Sequence, residues 1–148
     1  MRIVIQRVLE AKVEVEGKVI GQIGKGLLVL LGVGQNDDEK IADKYIDKLL
    51  KLRVFSDENG KTNLSIQDVG GEILLVSQFT LYADCRKGNR PDFIKAGDAK
   101  KAKELYEYCL NQINKKLGKV ESGEFGASMK VSLVNEGPFT IIFDEDMI

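Results

Sequence analysis

The feature that most constrains the fold is a nearly continuous apolar run of eight residues at Gly26–Val33, GLLVLLGV. This run is too short to cross a bilayer, which takes about 20 apolar residues, but it suits a strand that is buried on both faces. A second apolar run, Ile73–Val76, opens the segment Glu72–Leu81 and predicts another central strand that emerges with polar side chains. A sheet with two such strands needs helices or further strands packed on each face.

The rest of the chain supplies this cover. Alternating and apolar segments predict six further strands: Met1–Val8, Ala11–Val15, Lys18–Ile23, Arg53–Phe55, Ala127–Asn135 and Phe139–Asp144. Apolar residues at helical spacing, preceded by acidic caps, predict two helices, at Asp37–Leu52 and Asp98–Leu117. The pattern predicts a single α+β domain over residues 1–148, in which mostly antiparallel strands form a barrel-like sheet covered by two helices.

The length and the cysteines indicate a domain that is stable without cross-links. A single domain of 148 residues buries about 68–70% of its unfolded surface. Cys85 and Cys109 lie far apart and form no CxxC motif, so we interpret them as ordinary thiols. The first residues alternate polar and apolar and do not resemble a signal peptide, so we expect a cytoplasmic protein with no membrane segment.

The chain contains no histidine, which removes every Ser-His-Asp and Cys-His nucleophilic arrangement. It also removes the usual imidazole-based zinc sites, so we expect no catalytic metal. An enzyme of this composition has to use carboxylates, lysines, hydroxyls, backbone groups or the substrate itself for proton transfer. The net charge of −1 argues against strong nonspecific binding to nucleic acid, although a local basic patch remains compatible with RNA contact.

The motif Ser77–Thr80 places two hydroxyls, Ser77 and Thr80, and the amide of Gln78 at the end of an apolar strand. One interpretation is a strand that leaves the core and pairs its polar residues across the sheet. The other is a site in which backbone N–H groups at the strand end stabilise the oxyanion of an ester-hydrolysis intermediate. Without histidine, neither hydroxyl has an evident activating base, so positioning of a water molecule suits them better than covalent attack.

Two other segments each allow a structural and a functional interpretation, and a third has a structural one alone. Asn135–Pro138 is either a hairpin turn or a rigid loop that presents backbone carbonyls to a ligand. Lys87–Phe93 is either a solvated basic loop or a contact for an RNA backbone, but it lacks the P-loop spacing. Glu121–Gly126 indicates a bulge or a tight bend.

The order and spacing of these motifs resemble the D-aminoacyl-tRNA deacylase family over essentially the whole chain. The resemblance is carried by five blocks: MRIVIQRV at residues 1–8, LRVF at 52–55 followed by GKTNLS at 60–65, SQFTL at 77–81, GEFGA at 123–127 and NEGPFT at 135–140. The last of these resembles the family's Gly-cisPro motif. Departures are Phe139 in place of a small residue, and Asn89 and Asp92 where Arg and Ser are usual, which removes one cation from the basic loop.

This resemblance implies a hydrolase that releases D-amino acids from tRNA as chiral proofreading in translation, and that also removes glycine misattached to alanine tRNA. It implies no cofactor, aminoacyl-tRNA as the partner, and a homodimer whose active site is shared across the interface. The Gly137-Pro138 loop of one subunit would enter the partner's pocket. The alternatives from other classes are a noncatalytic module that binds RNA ends and a hydrolase of small esters.

The resemblance also implies roles for the individual site residues. Backbone N–H groups around Phe79 and Thr80 would bind the oxyanion, with Ser77 and Gln78 shaping the site. Carbonyls near Phe79 and in the Gly137-Pro138 loop would hold the substrate's ammonium group. Phe125 would complete the substrate-binding set, and the ribose hydroxyl beside the ester would help to activate water.

Overall fold

The structure, a computed structural model, describes all residues from Met1 to Ile148. Its two α-helices are α1 (Glu39–Leu50) and α2 (Ala99–Leu117). Its strands are β1 (Arg2–Val15), β2 (Lys18–Ile23), β3 (Gly26–Gly32), β4 (Phe55–Ser56), β5 (Thr62–Leu64), β6 (Glu72–Ser77), β7 (Glu121–Ser122) and β8 (Lys130–Phe143). No helix in the chain has both the length and the apolar content needed to cross a membrane.

The long strand β1 organises the sheet. One of its edges pairs with β8 over most of its length, while the other edge pairs first with β3 and then with β2, all antiparallel. The sheet bends until β2 approaches β7, where a Cβ atom on Gly21 would lie 2.4 Å from the carbonyl oxygen of Ser122. Only glycine, which has no Cβ atom, permits this approach. The approach of β2 to β7 nearly closes the sheet into the predicted barrel.

Most strand pairs are antiparallel, as expected, but the sheet is mixed because two pairs in its central part are parallel. β6 runs parallel to β3 and β7 runs parallel to β6. The reason lies in the connection between β3 and β6: it passes through α1, and a crossover that contains a helix returns the chain in its original direction. The α+β class, the barrel-like sheet, and the two helices are confirmed.

The central strands β3 and β6 are buried on both faces, as the apolar run Gly26–Val33 predicts for β3. One face of β3, with Leu27, Val29 and Leu31, packs into a core of 23 buried residues that includes side chains from both helices. Leu28 belongs instead to a second core of seven residues, inside the barrel. The same alternation in β6 places Ile73 and Leu75 in the first core. Successive side chains of a strand point to opposite faces, so both faces need apolar residues here.

Both helices begin and end near the predicted residues. The Asp38 side chain accepts a hydrogen bond from the Ile41 N–H at 2.8 Å, and Asp98 accepts one from Lys101 at 3.0 Å. These are N-cap contacts, which satisfy donors that lack partners inside the helix. Gly118 ends α2 in the left-handed conformation, with φ of 88°.

Several predicted elements differ in the structure. Met1–Val8 and Ala11–Val15 form the single strand β1, and the predicted strand Arg53–Phe55 is shifted to Phe55–Ser56. The predicted strand Glu72–Leu81 ends at Ser77, and Phe79–Tyr82 form a 3-10 turn. The hairpin-turn interpretation of Asn135–Pro138 is wrong, because β8 continues through this segment and pairs with β1 on both sides of it. The two predicted final strands are therefore one strand with an irregular middle.

Candidate active site

A cavity of about 570 Å³ lies where β6 ends. Its walls come from the ends of β3 and β6, the first turns of α2, and the segment before β8, and most of the lining residues are apolar. Ser77, Gln78, Phe79 and Phe125, all identified from the sequence, are among the lining residues. A cavity of this size falls in the range of small-molecule sites, which is about 300–1,000 Å³.

Hydrogen bonds from two neighbouring segments hold the 3-10 turn in place. The Gln78 N–H donates to the Leu31 carbonyl at 2.7 Å, which is the last contact between the β6 segment and β3 before the turn. Arg2 donates to the Leu81 carbonyl at 3.0 Å, and its guanidinium lies 4.8 Å from the centre of the Tyr82 ring. The turn is thus fixed to β1 and β3 and not left as a free loop.

The start of this turn presents backbone donors beside the cavity. The first N–H groups of a 3-10 segment have no partner within it, and the Gln78 side chain does not cap them. The N–H groups of Phe79 and Thr80 occupy these positions. Donors held by a rigid turn are suited to stabilise a developing oxyanion, since they do not reorganise during the reaction.

Thr80 is exposed and does not line the cavity. Its hydroxyl oxygen accepts a hydrogen bond from the Gln78 side-chain amide. No other side chain is bonded to this hydroxyl, so it has no carboxylate or lysine that would take its proton. This geometry gives Thr80 and Gln78 a supporting position at the turn and leaves covalent attack by Thr80 without a base.

Phe79 is 55% exposed although it belongs to the cavity wall. It packs edge-on against Phe93 of the predicted basic loop, with ring centres 4.9 Å apart. The predicted site motif and the predicted basic loop are therefore in direct contact.

Tyr106 of α2 is a lining residue that the sequence did not indicate as functional. Its hydroxyl donates to the Leu75 carbonyl at 2.8 Å, and its ring centre lies 6.0 Å from that of Phe125. Burial is the main cause that raises the pKa of Tyr106 to about 12, so it remains a neutral donor near pH 7. The only sequence signal was its place on the apolar face of α2, which is equally typical of a core residue.

The Gly137-Pro138 segment is exposed and is not part of this cavity. The bond between these two residues is cis. The Gly137-Pro138 segment of β8 lies beside Arg7 of β1. The end of β6 at the cavity lies level with Ile3 of β1, because Ile3 pairs with Leu31 and Leu31 pairs with Ser77. Four residues of β1 separate the two levels, or roughly 13 Å. The structure of the chain does not bring the two predicted motifs together.

Arg7 and Asn135 fix the shape of this segment. Arg7 donates to the Glu136 carbonyl at 3.1 Å, and its guanidinium lies 4.6 Å from the centre of the Phe139 ring. The Asn135 amide donates to the carbonyls of Arg7 and Phe139, both at 2.9 Å, and its oxygen accepts from the Phe139 N–H. These contacts replace the strand pairing that is interrupted here, and the sequence alone did not indicate them.

The loop before α2 is tied at its base. The backbone groups of Asp84 and Asp92 exchange two hydrogen bonds, of 2.9 and 3.0 Å, so residues 85–91 form a closed tip. The Arg86 guanidinium pairs with the Asp84 carboxylate and holds the pKa of Asp84 well below its usual value. Cys85 is exposed on this tip, while burial raises the pKa of Cys109 in α2 to about 12. No group of three or more His, Cys, Asp or Glu side chains is arranged to hold a metal ion.

An apolar cavity beside preorganised backbone donors, in a protein without imidazole groups, defines a site suited to an acyl substrate. The family profile described as D-Tyr-tRNA(Tyr) deacylase matches residues 4–144. The D-aminoacyl-tRNA deacylase of Thermosipho melanesiensis is 55% identical over 149 residues, covering 100% of this chain and 99% of the relative. The chain belongs to the D-aminoacyl-tRNA deacylase family.

Solved structures with the same fold include two that cover nearly the whole chain. One, named c-Myc DNA Unwinding Element Binding Protein, is 42% identical with a TM-score of 0.93, and the alignment covers 98% of this chain and 99% of that one. The other, described as a probable eukaryotic D-amino acid tRNA deacylase, has a TM-score of 0.84 at 18% identity, covering 96% and 97%. The second likeness concerns the fold alone.

Proposed function

We propose that this protein hydrolyses the ester bond of D-aminoacyl-tRNA and releases the D-amino acid and free tRNA, as chiral proofreading in translation. The observation that carries this proposal is the family match across the whole domain. The cavity at the end of β6 supports it, since a mostly apolar space beside backbone donors accommodates an aminoacyl group.

In the proposed mechanism, the ester carbonyl lies against the N–H groups of Phe79 and Thr80. Water adds to the carbonyl carbon, and these two donors stabilise the oxyanion. The bond to the ribose oxygen then breaks as that oxygen takes up the proton that the water has lost. The ribose hydroxyl beside the ester assists the water. Ser77 and Gln78 shape the strand end, and Phe125 closes the wall across the cavity. Orientation and fixed dipoles supply most of the catalysis.

The deciding experiment compares one tRNA charged with the D- or the L-form of the same amino acid. We expect rapid loss of the D-amino acid and little loss of the L-amino acid. Equal binding of both substrates without hydrolysis would favour a noncatalytic nucleic-acid-binding role. Hydrolysis of small esters without chiral preference would favour a general esterase.

The proposed active site is shared between two subunits, with the Gly137-Pro138 segment entering the cavity of the partner. Three features of β8 support this. It pairs only with β1, so its other edge lacks a strand partner. Its exposed side chains include Val131, Val134 and Ile142. Finally, the segment is exposed and rigidly held but lies away from the cavity of its own subunit.

A mixing experiment tests the shared site. Ala102→Phe fills the cavity, Gly137→Ala distorts the loop, and each variant alone should be nearly inactive. A refolded equal mixture should regain about one quarter of the wild-type activity, because half of the dimers are mixed and each of these has one intact site. An active monomer in sedimentation, or no recovery in mixtures shown to contain mixed dimers, would contradict the shared site.

Thr80 is expected to contribute through position. Thr80→Ala should lower kcat by roughly 5- to 10-fold, because a neutral hydrogen bond contributes about 1 kcal/mol and the hydroxyl has no base partner in the structure. Thr80→Ser, which keeps the hydroxyl, serves as the control. Quench-flow followed by mass spectrometry should detect no acyl-enzyme, and an aminoacyl adduct on Thr80 would refute this role.

Activity is expected to survive removal of divalent metal from the protein. The chain has no histidine and no cluster of other ligands that would hold a catalytic ion. The measurement is deacylation after exhaustive treatment with a strong chelator, compared with an untreated sample on the same refolded tRNA. Loss of activity that one specific metal restores, with the tRNA fold unchanged, would show that the expectation is wrong.

A further inference from the structure

The charges of this chain are unevenly distributed. Residues 84–103 contain seven Lys or Arg and three Asp, although the whole chain has a net charge of −1. Five of these cations are exposed and take part in none of the ion pairs in the structure: Lys87, Arg90, Lys95, Lys100 and Lys103. We call these five residues the basic track. Unpaired exposed cations concentrated in one segment of an otherwise acidic protein indicate a place for a polyanion.

The middle of the basic track borders the cavity. Phe93 packs on Phe79 of the cavity wall. Gly97 and Ala99, which lie between Lys95 and Lys103 in sequence, are lining residues. Lys103 follows Ala99 by one helical turn, so the two side chains lie on the same face of α2. A polyanion that follows the basic track therefore reaches the cavity mouth.

The basic track has defined limits. The loop tip, residues 85–91, is held by the Asp84–Asp92 bridge, so Lys87 and Arg90 project from a closed base. Arg86 is neutralised by Asp84. Beyond Lys103, the next turn of α2 carries the exposed acids Glu104 and Glu107, which would repel phosphate. The cations are thus confined to the loop and the first turns of the helix.

We propose that the basic track binds phosphates of the acceptor stem of the substrate tRNA and leads its 3′ end into the cavity where β6 ends. The inference rests on the proposed function and adds to it the surface that recognises the nucleic-acid part of the substrate. Phosphate contacts position a nucleic acid without reading its sequence. The surface accordingly fits an enzyme that accepts many tRNAs.

The test uses the triple variant Lys87→Gln/Arg90→Gln/Lys103→Gln in the full-length protein. Its control is Lys40→Gln/Lys44→Gln/Lys48→Gln, which removes the same charge from the exposed face of α1, an element that does not line the cavity. Each variant is assayed on D-aminoacyl-tRNA and on D-aminoacyl-adenosine, which keeps the ester but has no stem. The kinetics on tRNA are repeated over a series of salt concentrations.

We expect the triple variant to lose at least about tenfold in kcat/KM on tRNA, mainly through KM, while the control changes less than about twofold. The slope of log(kcat/KM) against log salt should fall by about 0.9 for each lost contact. The ratio of activity on adenosine ester to activity on tRNA should rise by the same factor. Equal losses on both substrates, an equal loss in the control, or an unchanged salt slope would each overturn the proposal.

A binding arm separates this proposal from the proposed function. The affinity of each variant for uncharged tRNA is measured by fluorescence anisotropy. If the wild-type protein hydrolysed neither substrate, the proposed function would fail. The basic track would then still be supported by weaker tRNA binding of the triple variant relative to the control, and overturned by equal binding.

Discussion

Gly137→Ala is expected to lower kcat/KM for D-aminoacyl-tRNA by at least about 100-fold without unfolding the protein. A Cβ atom at this position would lie 2.5 Å from the Phe139 nitrogen and 2.9 Å from the Phe139 Cβ, and the φ of +153° disfavours any L side chain. The segment from Glu136 to Phe139 must then move. A displacement of about 1 Å at a site costs on the order of 100-fold in rate, because substrate and donors lose their alignment.

The structure allows a loss of geometry at this segment to be separated from a loss of fold. Arg7 and Asn135 anchor the segment from both sides, so the change should stay local. Steady-state kinetics, thermal melting and sedimentation are measured on the same preparations. Gly60→Ala is the control: its φ is +74°, but a Cβ there would meet nothing within 4 Å, and it lies in the turn between β4 and β5. Full activity of Gly137→Ala would contradict a role of this segment in the site.

The fold was predictable where local pattern and burial agree. The apolar run at β3 predicted a strand buried on both faces, the run at β6 predicted a second central strand, and the two cores confirm both predictions. The direction of β6 was not predicted, although the sequence carried the signal, since a helix lies between the two runs. The end of β6 was also missed. The position where β6 ends depends on where β3 ends, because beyond the hydrogen bond between Gln78 and Leu31 there is no further residue of β3 for β6 to pair with.

The candidate site was only partly predictable because its shape depends on contacts between distant segments. Ser77, Gln78, Phe79 and Phe125 meet at one cavity, and their motifs indicated them. Asn135–Pro138 has turn composition, which misled the local interpretation. Instead, β8 continues through this segment, where the Asn135 side chain bonds to Arg7 and Phe139 and replaces the missing strand pairing. Such a contact across 128 residues leaves no periodic signal in the sequence.

The second large effect concerns chirality. An enzyme selects a D-amino acid either by binding its side chain or by excluding the L side chain near the Cα atom. Contacts to the side chain restrict the enzyme to a few amino acids, and each additional methylene in such a pocket contributes only about 1–3 kcal/mol. A backbone wall rejects L side chains of every kind, since the clash does not depend on their identity. The rigid, exposed segment around Gly137 suits such a wall, because glycine allows the backbone to approach closely.

We therefore expect one tRNA charged with D-alanine, glycine or L-alanine to give two groups of rates. The D-alanyl and glycyl esters should be hydrolysed within about tenfold of each other, because neither presents a side chain to the wall. The L-alanyl ester should be slower by at least about 1,000-fold, which corresponds to about 4 kcal/mol of transition-state free energy. Single-turnover rates at saturating enzyme measure this directly. If glycyl-tRNA were rejected as firmly as L-alanyl-tRNA, selection would depend on contacts to the D side chain, and exclusion by the Gly137 segment would be the wrong explanation.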